Sequence, residues 1–127
     1  MPNQLVTQVR KVSNETAVID ISGELNGYGE ETLMAAYTQA SNGRTQTIVL
    51  NFTDLKYMNS SGIGLLVTML IRVQRQKQRL LAFGLSDHYQ QIFELTRLNE
   101  AIAIYTSEEA AVTATSAALS AGSAAPA

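Results

Sequence analysis

The sequence predicts an α/β domain with a mixed β-sheet, and three observations carry that prediction. The chain opens on two runs in which apolar and polar residues alternate, separated by residues of turn composition, which reads as an antiparallel hairpin. After the hairpin, strand-like apolar runs alternate with stretches of helical periodicity, the pattern of parallel strands joined by helices. The whole is 127 residues with 46% hydrophobic side chains, enough for one domain around one core.

The elements follow in order. "LVTQV" sets Leu5, Thr7 and Val9 against Val6 and Gln8, and "TAVIDIS" sets Ala17, Ile19 and Ile21 on one face. "KVSNET" between them supplies the turn. "GYGEETLMAAYTQASNG" is a helix, with Leu33, Ala36, Tyr37 and Ala40 at core spacing. Glu30 and Glu31 suit its positive N-terminal end, and Gly43 marks its stop. "TIVLNF" is nearly all apolar, as a strand covered on both faces should be.

The next helix is the most periodic element. Ile63, Leu66, Val67, Leu70, Ile71 and Gln74 form one stripe, predicted to lie on the sheet. "RLLAF" is a strand. "SDHYQQIFELTRLN" is a helix capped by Ser86, with Tyr89, Ile92, Phe93 and Thr96 on one face and Asn99 at its stop. "AIAIY" is the last strand, and "SEEAAVTATSAAL" a last helix capped by Ser107. Right-handed crossovers in the three consecutive βα units are expected to put those helices on one face of the sheet. The domain is expected to span residues 1–118. Residues 119–127, rich in Ala and Ser with Gly122 and Pro126, are expected to form a frayed tail.

The junction "DLKYMNSSGIGLL" holds the chemistry of interest. A helix that starts there has N–H groups without internal partners and a positive dipole end. Ser60 or Asn59 can cap it, and Gly62 permits a tight turn or a close backbone approach. Opposite the expected core stripe fall Ser61, Leu65, Thr68, Met69 and Arg72. Leu65 and Met69 are therefore expected to be exposed, forming a small docking surface with Arg72 beside the serines; the alternative is a helix that is simply buried more widely.

This segment resembles the signature of STAS domains, specifically the bacterial anti-sigma-factor antagonists. Asp54, Leu55, Met58, Asn59, Ser60, Ser61, Gly62 and Ile63 supply the family's pattern in order, and the upstream "VIDISGELN" resembles its second strand. The resemblance covers roughly residues 5–118 and implies the same β/α order. It also implies a partner switch rather than an enzyme. In that family the unmodified protein binds an anti-sigma factor that is also a serine kinase, and so frees a sigma factor. The kinase phosphorylates the first serine after the Asp/Asn position, here Ser60, and a phosphatase resets the switch. The partner-binding residues carried over or read from the helix face are Asn59, Ser60, Ser61, Gly62, Leu65, Met69 and Arg72. Asn59 stands where Asp is common, which removes a charge beside the acceptor. The alternative is a STAS scaffold or interaction module that is not phosphorylated.

Other classes lose support. The net charge of −2 gives no broad attraction for nucleic acid or anionic membrane, and no apolar run approaches the ~20 residues of a membrane span. "RVQRQKQR" reads as the solvated, dipole-complementing end of a helix. "SGIGLL" lacks the third glycine of a dinucleotide site, and no Walker lysine is present. With no cysteine and one histidine, His88, expected at the surface, neither a zinc site nor a serine triad is predicted, and no motif calls for a cofactor. Nothing marks Asp20 and Glu24 as an acid/base pair. The opening "MPNQLVTQVRKVSN" lacks a signal-peptide layout, so a cytoplasmic location is expected.

Overall fold

A computed structural model describes residues 4–115. The expected tail and the end of the last helix lie outside the described residues. The hairpin forms as the alternation requires: β1 (Val6–Lys11) pairs antiparallel with β2 (Thr16–Leu25). A 3-10 turn (Gly27–Gly29) leads into α1 (Glu30–Ala40). Then come β3 (Thr47–Met58), α2 (Ser60–Arg75), β4 (Arg79–Phe83), α3 (Asp87–Leu95), a second 3-10 turn (Leu98–Glu100) and β5 (Ala103–Tyr105). Residues 108–115 are helical (α4), and the Ser107 hydroxyl caps them by accepting from the Ala110 N–H at 3.0 Å.

The strands lie in the order β1-β2-β3-β4-β5, with every pair after the first parallel. Each of α1, α2 and α3 joins neighbouring parallel strands in a sheet that grows in one direction. The handedness of such crossovers places all three on one face. That face carries the main core. Ala17, Ile19 and Ile21 of β2 and Ile48, Leu50 and Phe52 of β3 meet Leu33, Ala36, Tyr37 and Ala40 of α1, the inner side of α2, and Phe93 of α3. Phe52 and Phe93 meet edge-to-face at 6.3 Å.

The one-face expectation, made for the three crossover helices, holds for them, and α4 lies on the other face. Ala111 packs with Val18, Val49, Leu81 and Phe83, which alternate with the main core residues and so point to the other face. The physical reason is topological: among the described residues α4 leads to no further strand, so the crossover rule does not act on it. An ionic cluster holds it there. Arg10 makes paired hydrogen bonds to Asp20 (2.7 and 2.8 Å) and to Glu108 of α4 (3.1 and 2.7 Å), and Asn51 donates to Asp20 at 2.8 Å.

Two boundaries differ from expectation. β3 runs on through "DLKYM" to Met58, because β2 extends beside it as far as the Leu25–Met58 pair. α3 stops at Leu95 rather than near Asn99, since Arg97 takes a left-handed conformation (φ 62°). Thr96 is consequently exposed rather than on the packed face, and its hydroxyl bonds back to the Ile92 carbonyl at 2.7 Å.

Candidate functional site

The two serines follow the end of the two-stranded ribbon that β2 and β3 form past β4. β3 pairs with β4 only as far as Asn51–Phe83, whereas its pairing with β2 continues to Met58. Beyond Asn51 no ladder pairs β3 with β4, and Gly84, just past β4, lies against Thr53. Tyr89 of α3 covers the tip of β3: the Met58 N–H donates to the Tyr89 hydroxyl at 2.9 Å. Helical spacing put Tyr89 on the packed face of α3, but this bond reaches across 31 residues of sequence and has no local signature.

Asn59, not Ser60, caps α2. Its backbone is extended (φ −102°, ψ −176°), and its side-chain oxygen accepts from the Gly62 N–H at 2.9 Å. The Asn59 carbonyl takes the Ile63 N–H at 3.0 Å, and its own N–H donates to the Leu25 carbonyl at 3.2 Å. The cap needs a side-chain oxygen, which Asn supplies as well as Asp. With Asn59 in that role, the Ser60 and Ser61 hydroxyls are exposed and make no hydrogen bond among the described residues. The first two N–H groups of the helix, those of Ser60 and Ser61, likewise find no acceptor there.

Gly62 is where the helix meets the sheet. It is buried, and a Cβ at this position would overlap the Leu25 carbonyl oxygen. The expected close backbone approach is thus present, made by the end of β2.

The orientation of α2 corrects the sequence reading. Leu65 is 8% exposed and Met69 0%, so neither belongs to an outer docking surface. Val67, at 39%, and Ile71, at 46%, belong to the expected core stripe but instead face solvent. The buried set is Gly62, Leu65, Leu66, Met69, Leu70 and Val73, the expected stripe shifted by one residue, a rotation of about 100°. Apolar residues on this helix extend beyond a single face, so periodicity alone allowed both rotations. Gly62 decides between them, since only a residue without a side chain fits against the Leu25 carbonyl. The signal within the sequence was at the other end: one stripe closes on Val73, the other on Gln74.

Arg72 is exposed, as expected, but is not free. Its guanidinium lies over the Tyr37 ring, 5.2 Å from the centroid. On the other side of the serines, the 3-10 turn abuts Ser61: a Cβ at Gly27 would stand 3.4 Å from the Ser61 Cβ. Asn26 caps that turn by accepting from the Tyr28 N–H at 2.9 Å.

Asp20 and Glu24 are engaged by different partners. Glu24 accepts from the Asn26 side chain at 2.9 Å, while Asp20 belongs to the Arg10 cluster. The hydrogen bonds from Arg10, with Asn51 adding to them, hold the Asp20 carboxyl below the usual carboxylate range against the effect of burial. The two carboxylates, whose hydrogen bonds raise the Arg10 pKa in turn, keep that guanidinium charged. His88 is exposed, its ring edge-on to Tyr89 at 5.0 Å. Among the described residues no three His, Cys, Asp or Glu side chains are grouped to hold a metal, and no helix is long and apolar enough to cross a membrane.

Comparison with known proteins places this geometry. Residues 9–106 match the family described as "Mlab, STAS domain". The anti-sigma-B factor antagonist of Staphylococcus aureus is 30% identical over 82 residues, 65% of this chain and 76% of that protein. The anti-sigma F factor antagonist of Lysinibacillus sphaericus is 29% identical over 104 residues, 81% of this chain and 89% of that one. Among solved structures, the anti-sigma factor antagonist SpoIIAA in its unphosphorylated form is similar at a TM-score of 0.70 and 28% identity, over 87% of this chain and 97% of that one. The phosphorylated form of SpoIIAA, a Bacillus cell fate determinant, is similar at 0.67 and 29%, over 86% and 99%.

Proposed function

The chain belongs to the STAS-domain family, and on that footing we propose that it is an anti-sigma-factor antagonist switched by phosphorylation of Ser60. In its unmodified form it binds an anti-sigma factor that is also a serine kinase, and a sigma factor is released to activate transcription. The kinase transfers the terminal phosphoryl group of ATP to the Ser60 hydroxyl oxygen, the hydroxyl proton passes to the kinase, and ADP leaves. The modified chain dissociates until a phosphatase hydrolyses the ester.

The observation that carries this reading is the division of labour at the junction. Asn59 caps the helix through its side chain, so the Ser60 hydroxyl is exposed and unengaged. A serine committed to capping would have to give up that bond to react. A phosphate there brings a charge of about −1.5 to −2. The unengaged N–H groups of Ser60 and Ser61 can receive it at the positive end of the helix, so the domain tolerates the modification. The similarity of this chain to both forms of SpoIIAA supports that tolerance. At an interface the same charge meets desolvation, and losing about 3–4 kcal/mol weakens binding by a few hundred-fold or more.

The docking surface in this reading is the outer stripe of α2. Ser60, Gly64, Val67 and Ile71 follow one another at helical spacing, and all are exposed. The roles of Leu65 and Met69 pass to Val67 and Ile71, with Arg72 alongside. Asn59 and Gly62 act by holding the serines in place.

The test is phosphorylation with purified serine kinases of the same genome, read by intact mass. Wild type should gain one phosphate, Ser61→Ala one, and Ser60→Ala none. Labelling lost in Ser61→Ala but kept in Ser60→Ala would move the acceptor. If no kinase labels the chain, the scaffold reading takes its place.

A further inference from the structure

The most exposed large hydrophobic side chain among the described residues is Tyr28, 99% accessible, at the centre of the 3-10 turn beside the serines. A single exposed aromatic ordinarily calls for no explanation. What sets Tyr28 apart is that the turn carrying it is held in place on either side, with Gly29 buried and Gly27 against a neighbouring side chain. Gly29 is buried so closely that a Cβ there would stand 2.8 Å from the Leu5 Cδ2. Gly27 lies against Ser61. Asn26 holds the turn three ways: its side-chain oxygen takes the Tyr28 N–H at 2.9 Å, its carbonyl takes the Gly29 N–H at 3.0 Å, and its side-chain amide donates to Glu24 at 2.9 Å. The result is a short hook, closed by packing at both shoulders, with one ring at its tip.

We propose that Tyr28 is an aromatic anchor for the anti-sigma factor, its ring entering an apolar slot of the partner that leaves the phenol at a polar rim or base. The inference rests on the functional reading above and adds to it a second contact point, on the opposite side of the serines from Val67 and Ile71. Continuity places it within the interface. A kinase must bring its active site to Ser60, and a specific interface covers about 800 Å² on each partner. A patch of that size centred on Ser60 reaches roughly 15 Å in every direction, and the hook is in contact with the very next residue, Ser61. Tyrosine suits the task because it brings a large amphipathic ring with few torsions to freeze. The fixed backbone has already met much of the ordering cost of binding. Anchors of this kind dominate interfaces out of proportion to their area.

The experiment measures the dissociation constant by calorimetry, using as probe the purified kinase that phosphorylates Ser60, with a non-hydrolysable ATP analogue so that no modification occurs. Tyr28→Ala should bind at least about 30-fold more weakly than wild type. Tyr28→Phe, which keeps the ring, should stay within about fivefold. Leu95→Ala removes another highly exposed apolar side chain, 85% accessible and on α3, and should bind as wild type does. All three should keep the wild-type circular dichroism and melting temperature. Wild-type affinity in Tyr28→Ala, or an equal loss in Leu95→Ala, overturns the anchor while leaving the switch intact. A loss in Tyr28→Phe as large as in Tyr28→Ala overturns the ring-in-slot geometry. A wild-type chain that binds none of the kinases overturns the functional reading and the anchor with it.

Discussion

The two faces of the sheet are held by different physics. The face under α1, α2 and α3 is a continuous apolar core of large side chains, among them Ile19, Leu50, Phe52, Leu66, Met69 and Phe93. The face under α4 has a smaller apolar cluster of Val18, Val49, Leu81, Phe83 and Ala111, with the Arg10, Asp20, Glu108 and Asn51 cluster beside it. On the first face, burial supplies the energy and topology supplies the position. On the second, Ala111 offers little area, and charge-assisted hydrogen bonds fix where the helix sits. The serine junction is built wholly on the first face. Gly62 against Leu25, Met58 bonded to Tyr89 and Asn59 bonded to Leu25 all join elements of the main core. Disturbing the second face should therefore loosen α4 and leave the candidate site in place.

The largest effects should come from charge placed in the main core. Leu65→Asp, Leu66→Asp and Met69→Asp each bury an unpaired carboxylate, whose cost of several kcal/mol is comparable to a domain's entire stability of about 5–15 kcal/mol. All three should be unfolded or near it by circular dichroism. A folded Met69→Asp would show that α2 is rotated otherwise. Gly62→Ala should be milder. It forces α2 away from Leu25 at a cost of about 1–3 kcal/mol, read as a lowered denaturation midpoint.

The second face should respond more weakly and locally. Arg10→Ala leaves Asp20 and Glu108 without their cation. Since the Arg10 side chain is 36% exposed, solvent screening limits the loss to about 1 kcal/mol. Hydrogen exchange should speed up in residues 108–115 and remain unchanged around Ser60. Faster exchange at Met58 to Gly62 would break the separation of the two faces. Acid should act through the same cluster. Asp20 has a lowered pKa in the folded state, so it contributes stability above its unfolded value of about 4. That contribution is lost as pH falls below about 4 through the folded pKa, and is constant from pH 5 to 8. In Asp20→Asn the acid-side slope of a denaturation series should flatten. The smallest effect should be Val67→Asp, which adds a charge to an exposed position and should change stability by less than about 0.5 kcal/mol.

Taken alone, the sequence determined the order of the elements, the hairpin, the parallel run of strands, and the segment that joins β3 to α2. Those features are written in local terms: alternation with a period of two, helical spacing, caps at Ser86 and Ser107, and a motif of consecutive residues from Asp54 to Ile63. Tertiary structure decided what depends on residues far apart in the chain. The rotation of α2 was one such case, because its apolar residues suit two orientations and the Leu25 carbonyl selects the one in which Gly62 faces it. The placement of α4 was another, fixed by Arg10 of β1 reaching Glu108 across 98 residues of sequence. The choice of Asn59 over Ser60 as cap also waited on the fold, since both side chains have the chemistry. Only the packed end of β2 sets the extended backbone at Asn59 that turns its oxygen onto Gly62 and leaves the serine hydroxyls to solvent.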